Sequence, residues 1–195
     1  MRVFSSLHDP HLVTLLRVGA VGVIPTDTIY GLAASALDQS AVAKMYQLKL
    51  REHKPGTTIA ANTDQLRQLG VPTELLIRAA RWWPNSVSVL LPVAAQYGYL
   101  HQGLGDCAFR VPAGPADLLE LLKKVGPLST TSVNQPGMPP ATNLAEAQRY
   151  FGDQVDFYVD GGQAETRPPS TIIRVKLDGP VEIIRAGAVI IDEKG

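Results

Sequence analysis

The sequence predicts an α/β chain, α+β in its last third, built on one mixed sheet. Three observations carry that prediction. Segments with helix and strand periodicity alternate from Pro10 to Gly126. From Phe157 onward, three strand-like runs follow with no helical pattern between them. Apolar residues make up 45% of the 195, enough for a sizeable core and too many for a disordered chain.

The elements follow in order. Asp9 before Pro10 reads as an N-cap and first-turn pair, opening a helix with Leu12, Leu15 and Leu16 that stops near Gly19. Val21 to Ile24 is a buried strand, and "VIPTDTIYGL" runs from it into a loop. Asp38 or Ser40 opens a helix with Val42, Met45, Tyr46 and Lys49 along one side. Thr57 to Ala61 is a strand. Asn62 or Thr63 caps a short helix to Gly70, and Glu74 to Trp82 stays helical until Pro84. Ser86 to Leu91 alternates and then turns apolar, as a strand does, whereas 92–106 has no period and reads as a loop. Cys107 to Val111 is a strand, Leu118 to Leu122 lies on a helix ended by Gly126, and "LSTTSV" is another strand. Asn143 with Glu146 three residues on is a capping-box variant, starting a helix through Tyr150. Phe157 to Val159, Ser170 to Val175 and Val181 to Ile184 are the late strands.

Composition narrows the function. Eighteen basic residues balance 18 acidic ones, so the strong basic excess of a nucleic-acid coat is absent. One cysteine, Cys107, excludes an internal disulfide and suits a reducing cytoplasm. No run approaches the ~18 apolar residues of a membrane helix, and the N-terminus has no cleavage pattern. These features predict a soluble cytoplasmic protein without membrane contact. No lysine follows a glycine, which excludes a Walker-type loop. "GLGDCA" precedes a strand, so it lacks the context of a dinucleotide fingerprint. The four histidines have no metal-site spacing.

Three constellations remain. In "VIPTDTIYGL" the hydroxyls of Thr26, Thr28 and Tyr30 follow a buried strand, where α/β proteins place ligands; the other reading is a turn whose threonines bond their own backbone. In "KLREHKPG" Lys49, Arg51 and Lys54 stand where a helix runs out, suiting either a polyphosphate or a helix end that favours cations. In "STTSVNQPG" Thr130, Ser132 and Asn134 enter a Pro-Gly turn, as ligands or as turn chemistry. Arg110 interrupts an apolar strand and Arg185 ends the last one. Each needs an anion, from a ligand or from a protein carboxylate.

In this order the pieces resemble the YrdC/TsaC family of threonylcarbamoyl-AMP synthases. The matching runs are "VIPTDTIYGL", "KLR", "WP", "FRVP", "STTSVNQPG", "STII" and "IIRAG". The resemblance implies a single YrdC-like domain over 1–195, its core at about 5–188, without the additional C-terminal domain of longer members. It implies a twisted, open mixed sheet flanked by helices around a concave basic cavity. It also implies a reaction: L-threonine, bicarbonate or CO2, and ATP with Mg2+ give threonylcarbamoyl-AMP and pyrophosphate. A threonylcarbamoyl-transfer enzyme complex then modifies tRNA. No protein-bound metal or organic cofactor is implied.

By position, Thr26, Thr28, Tyr30, Arg110, Thr130 and Ser170 stand for threonine contacts. Lys49, Arg51, Lys54, Ser132, Asn134 and Arg185 stand for ATP contacts, with Lys49 and Arg51 catalytic. The chain departs from the family where Glu52 and His53 follow Lys-x-Arg, at Asn85 to Ser88, and at Val133. Three alternatives stand beside this reading: an RNA-binding module with a weak, salt-sensitive tRNA contact at Lys44 to Lys54, a carbamoyl-adenylating enzyme, and a paralogue without activity.

Overall fold

The computed structural model describes residues 2–50, 54–164 and 168–191. Its strands are β1 (Arg2–Phe4), β2 (Gly22–Pro25), β3 (Tyr30–Ser35), β4 (Thr57–Ile59), β5 (Val87–Pro92), β6 (Asp106–Arg110), β7 (Leu128–Ser132), β8 (Phe157–Val159), β9 (Thr171–Arg174) and β10 (Glu182–Arg185). Its helices are α1 (Pro10–Arg17), α2 (Gln39–Leu48), α3 (Thr63–Gln68), α4 (Thr73–Ala79), α5 (Ala116–Val125) and α6 (Leu144–Phe151). The strands form one sheet in the order β1-β8-β2-β3-β7-β4-β6-β5-β9-β10. The sheet is mixed: β1–β8, β8–β2, β4–β6 and β5–β9 are parallel, and the other pairs antiparallel. No helix among the described residues is long and apolar enough to cross a membrane.

The caps are where the sequence places them. Asp9 accepts from the His11 amide at 2.8 Å, Asp38 from Ser40 and Ala41, and Asn62 from Gln65. Asn143 accepts from the Glu146 amide, but Glu146 reaches Thr142 rather than Asn143, so the capping box is displaced by one residue. Two strands go unanticipated. β1 has three residues, too few for a pattern. β3, "YGLAAS", is buried on both faces, so the alternation that betrays a half-buried strand is missing. The 92–106 segment holds a short 3-10 stretch at Ala95–Leu100.

Period-2 alternation divides the core between the two faces of the sheet. Val23, Leu32, Phe109 and Ile173 face α2, α3, α4 and α6. Ile24, Ala33, Ile59 and Leu128 face the other way, against Leu12 and Leu16 of α1 and Leu118, Leu121 and Leu122 of α5. Full burial of each such leucine contributes about 1.5–3 kcal/mol. On this second face α1 and α5 cover only the end of the sheet marked by Ala33, Ile59 and Leu128. Further along the same rows stand Gly31, Thr57, Ala108, Thr130 and Ser132, which are small or polar and line a cavity. The cleft is therefore a stretch of sheet left without a helix and floored by short side chains.

Gly22 shows how tightly β2 and β8 fit, since a Cβ there would sit 2.5 Å from the Phe157 ring. Beside that contact Asp156 accepts from the Val21 amide at 2.8 Å and from the Lys44 ammonium at 2.8 Å. Burial acts to raise the Asp156 carboxyl's pKa, but the Lys44 and Val21 hydrogen bonds overcome it and hold the group below its usual range. A depressed carboxylate adds stability that is present above its unfolded pKa and lost as pH falls through the folded one. Asp156→Asn is therefore expected to lower the melting temperature at neutral pH and to narrow the gap from wild type in acid. An unchanged gap between pH 7 and pH 2, followed by circular dichroism, would remove the linkage.

Candidate active site

The cavity has a volume of about 330 Å³. Its floor comes from the uncovered sheet face, its walls from the 26–30 loop, the 55–57 segment and the 169–172 strand start, with Arg110 and Arg185 on its lining. A second cavity of about 570 Å³ lies behind the same 26–30 loop, against Ser86, Gly114 and Gly161. The loop is thus a partition between two cavities.

Hydrogen bonds inside the loop decide what its hydroxyls do. Thr26 Oγ1 donates to the Ile29 carbonyl at 2.6 Å and accepts from the Thr28 and Ile29 amides at 3.3 Å. This is a threonine holding its own turn, one of the two readings the sequence leaves open. Thr28 Oγ1 lies 3.3 Å from Thr26 Oγ1 and borders both cavities. Tyr30, 1% exposed, donates to the Gly162 carbonyl and accepts from the Gly161 amide, both at 2.8 Å. Burial raises its pKa, against the lowering effect of the Gly161 hydrogen bond. Its ring forms a wall and its hydroxyl ties the loop to the segment after β8.

Asp27 is the residue the sequence reading missed. Its carboxylate accepts from Arg110 Nη2 at 2.8 Å, with the side chains 6% and 5% exposed. Arg110 thus has the protein carboxylate that its buried strand position demands, while still facing the cavity. The signal was present: an arginine in an apolar strand requires an acid, and Asp27 lies at the end of a buried strand. Arg110 Nη1 also donates to Ser88 Oγ at 3.3 Å, Ser88 Oγ lies 2.9 Å from Ser170 Oγ, and Arg185 Nη2 donates to Ser170 Oγ at 3.3 Å and to its carbonyl at 2.7 Å. A polar chain, Asp27–Arg110–Ser88–Ser170–Arg185, therefore runs along the cavity, meeting it at Arg110, Ser170 and Arg185. Arg110 Nε has no hydrogen-bond partner among the described residues. A register slip between Ile183 and Arg185 in β10 turns Arg185 back toward Ser170.

The remaining predicted residues form a second group. Ser132 Oγ donates to Asn134 Oδ1 at 2.7 Å, and Asn134 Nδ2 donates to the Met138 carbonyl at 2.6 Å. The Lys49 ammonium, on a residue 3% exposed, donates to both oxygens of Asn134. Lys49 and Asn134 lie off the cavity lining and meet it through Ser132. Thr130 donates to the Thr57 carbonyl at 2.8 Å. Lys54 is exposed, and its amide donates to Gln102; the next residues, Pro55 and Gly56, line the cavity. A Cβ on Gly56 would fall 2.1 Å from the Thr130 carbonyl oxygen, so only glycine lets this segment pass β7. Arg51 lies outside the described residues.

Fold and cavity together define an open-sheet α/β protein with an arginine- and hydroxyl-lined cleft suited to a small polar anion. The Sua5_yciO_yrdC family model ("Telomere recombination") matches residues 14–187, and the chain belongs to that family. It is 32% identical to the threonylcarbamoyl-AMP synthase of Coxiella burnetii, covering 93% of this chain and 97% of that one. It is 33% identical to the namesake of Marinobacter nauticus over 80% of this chain and 85% of that one. Among solved structures, it overlays P. abyssi Sua5 complexed with L-threonine with a TM-score of 0.80 at 29% identity, over 91% of this chain and 53% of that one. The chain thus spans about half the length of the P. abyssi protein. E. coli YciO shares the fold, with a TM-score of 0.76 at 22% identity over 91% of this chain and 87% of that one.

Replacing Asp27 by alanine leaves the Arg110 guanidinium buried without its counter-charge. The expected loss is about 3–5 kcal/mol in urea denaturation, because breaking a buried pair exposes neither partner to water. A loss under about 1 kcal/mol would place the pair in the class of surface ion pairs.

Proposed function

We propose that this chain is an L-threonylcarbamoyladenylate synthase, a nucleotidyltransferase serving N6-threonylcarbamoyladenosine formation in tRNA. One observation carries the reading: the chain overlays a relative complexed with L-threonine over 91% of its length, and it carries an arginine- and hydroxyl-lined cavity of about 330 Å³. Relatives at 32–33% identity bear the name of that activity.

The chemistry asks for placement and charge stabilisation. The threonine amine adds to CO2, or to bicarbonate with loss of water, forming a new C–N bond and releasing its proton to solvent. An oxygen of the resulting carbamate attacks the α-phosphorus of ATP. The bond from that phosphorus to the β-phosphate oxygen breaks, and pyrophosphate leaves with the electron pair. None of these steps needs a side-chain nucleophile, so holding reactants in line and countering phosphate charge supply the acceleration. In this reading Arg110 and Ser170 face the threonine end, together with Thr28. Arg185, Lys49, Arg51 and Lys54 surround the ATP phosphates, and the Ser132–Asn134 clip fixes the Lys49 ammonium.

Among the described residues no group of three His, Cys, Asp or Glu side chains could hold a metal ion, and Asp27, which lines the second cavity, is engaged by Arg110. The donor set does not fit a resident metal, so Mg2+ is treated as part of the ATP substrate. The product, a mixed anhydride, must be consumed by an enzyme that transfers an acyl group to tRNA.

An RNA-binding module is the weaker reading. Lys44 is paired with Asp156, so the basic run does not present that cation freely to a phosphate backbone.

Pyrophosphate release in the presence of ATP, Mg2+ and bicarbonate is expected to require L-threonine. Lys49→Ala and Arg51→Ala are each expected to lower turnover by on the order of a hundredfold while circular dichroism stays native-like. Release indifferent to threonine, alongside a gel shift with RNA, would falsify the synthase reading.

A further inference from the structure

We infer that Ser88, a buried serine of β5, is a positioning residue: it aims the hydroxyl proton of Ser170 at an anionic oxygen of the ligand. The inference rests on the proposed reading of the cavity as a substrate site.

A count of donors and acceptors leads there. Ser88 is 0% exposed and is not part of the cavity lining. Its Oγ has two neighbours, Arg110 Nη1 at 3.3 Å and Ser170 Oγ at 2.9 Å. A guanidinium has no acceptor, and Arg110 is held in place by Asp27 at 2.8 Å. The Ser88 proton therefore goes to Ser170 Oγ, since a buried hydroxyl proton without an acceptor is costly. Ser170 Oγ also accepts from Arg185 Nη2 at 3.3 Å. Both its acceptor sites are then filled, and its own proton is left over. Ser170 borders the cavity, so that proton meets whatever the cavity holds. The reverse polarity would bury the Ser88 proton against a cation.

Of the other predicted hydroxyls, all but Thr28 differ in this respect. Thr26, Tyr30, Thr130 and Ser132 donate to Ile29, Gly162, Thr57 and Asn134, respectively. Ser170 is thus a donor kept for a ligand. With Arg110 and Arg185 on either side of it, the acceptor is an oxygen carrying negative charge, in a carboxylate or a phosphate. Ser88 acts on that oxygen only through Ser170.

The test uses the full chain, Ser88→Ala, Ser170→Ala and the double variant. Kinetics give kcat and the KM for L-threonine and for ATP, and calorimetry gives the Kd of each. Ser170→Ala is expected to raise KM and Kd for one of the two about tenfold, and which one rises assigns the oxygen to carboxylate or phosphate. Ser88→Ala is expected to raise the same constants about threefold to fivefold, with kcat within about twofold. The double variant is expected to match Ser170→Ala, because removing Ser170 removes the route by which Ser88 acts. A purely structural serine would lower the melting temperature and leave these constants alone. Wild-type KM and Kd in Ser88→Ala, or multiplying effects in the double variant, overturn the inference by itself. If wild type binds both ligands without threonine-dependent turnover, the synthase reading fails while the Kd ratios still judge Ser88. No binding of either ligand overturns both.

Discussion

The ion pair between Asp27 and Arg110 is the interaction on which the site's arrangement depends. It joins a loop near the start of the chain to a strand in the middle of the sheet. Both partners are almost wholly withdrawn from water. Such a pair gains little net free energy, because desolvation offsets the attraction, but losing either partner is costly. Its effect here is geometric. It pins the loop against the cleft and fixes one end of the guanidinium, leaving the rest of that group to Ser88 and the cavity. The serine pair and Arg185 then follow in sequence, each placed by the one before it.

The same logic explains why hydroxyls are so numerous around the cleft. A sheet surface without a helix would expose apolar side chains to water if it followed the pattern of the covered half. Gly31, Thr57, Thr130 and Ser132 avoid this, and most of their polar atoms serve the protein itself. Thr130 bridges to the neighbouring strand and Ser132 clips Asn134. A polar lining is therefore partly scaffold, and a hydroxyl in a cavity is a ligand contact only when its proton is not already claimed.

Much of the fold was legible because local chemistry announced it. Asp9, Asp38, Asn62 and Asn143 mark helix starts by the oxygen they offer, and Gly126 marks an end. β3 was not legible, because a strand covered on both faces has no alternation to read. Of the candidate residues, Thr26, Thr28, Tyr30, Arg110, Thr130, Ser132, Ser170 and Arg185 lie on the cleft, but their roles were not legible. Sequence order brought forward Thr26 and Tyr30, yet it could not tell that their hydroxyls close backbone bonds. It demanded a partner for Arg110 without naming Asp27, since pairing across 83 positions is decided by strand order. Lys49 was read as a phosphate cation at a helix end, and its burial against Asn134 follows from the path of the chain after β7.

The strand order also bears on how the molecule comes into being. β8 lies between β1 and β2, so residues 157–159 separate two strands that are made well before them. Until they leave the ribosome, β1 has no neighbour, and one edge of β2 stays open to strangers. Arg185 arrives later still, after which the cleft has its second arginine. Contacts of such long range slow folding and leave hydrophobic edges waiting. A nascent chain would thus need shielding from the making of β1 until β8 emerges, and would have no complete cleft with which to hold a substrate before β10 is made.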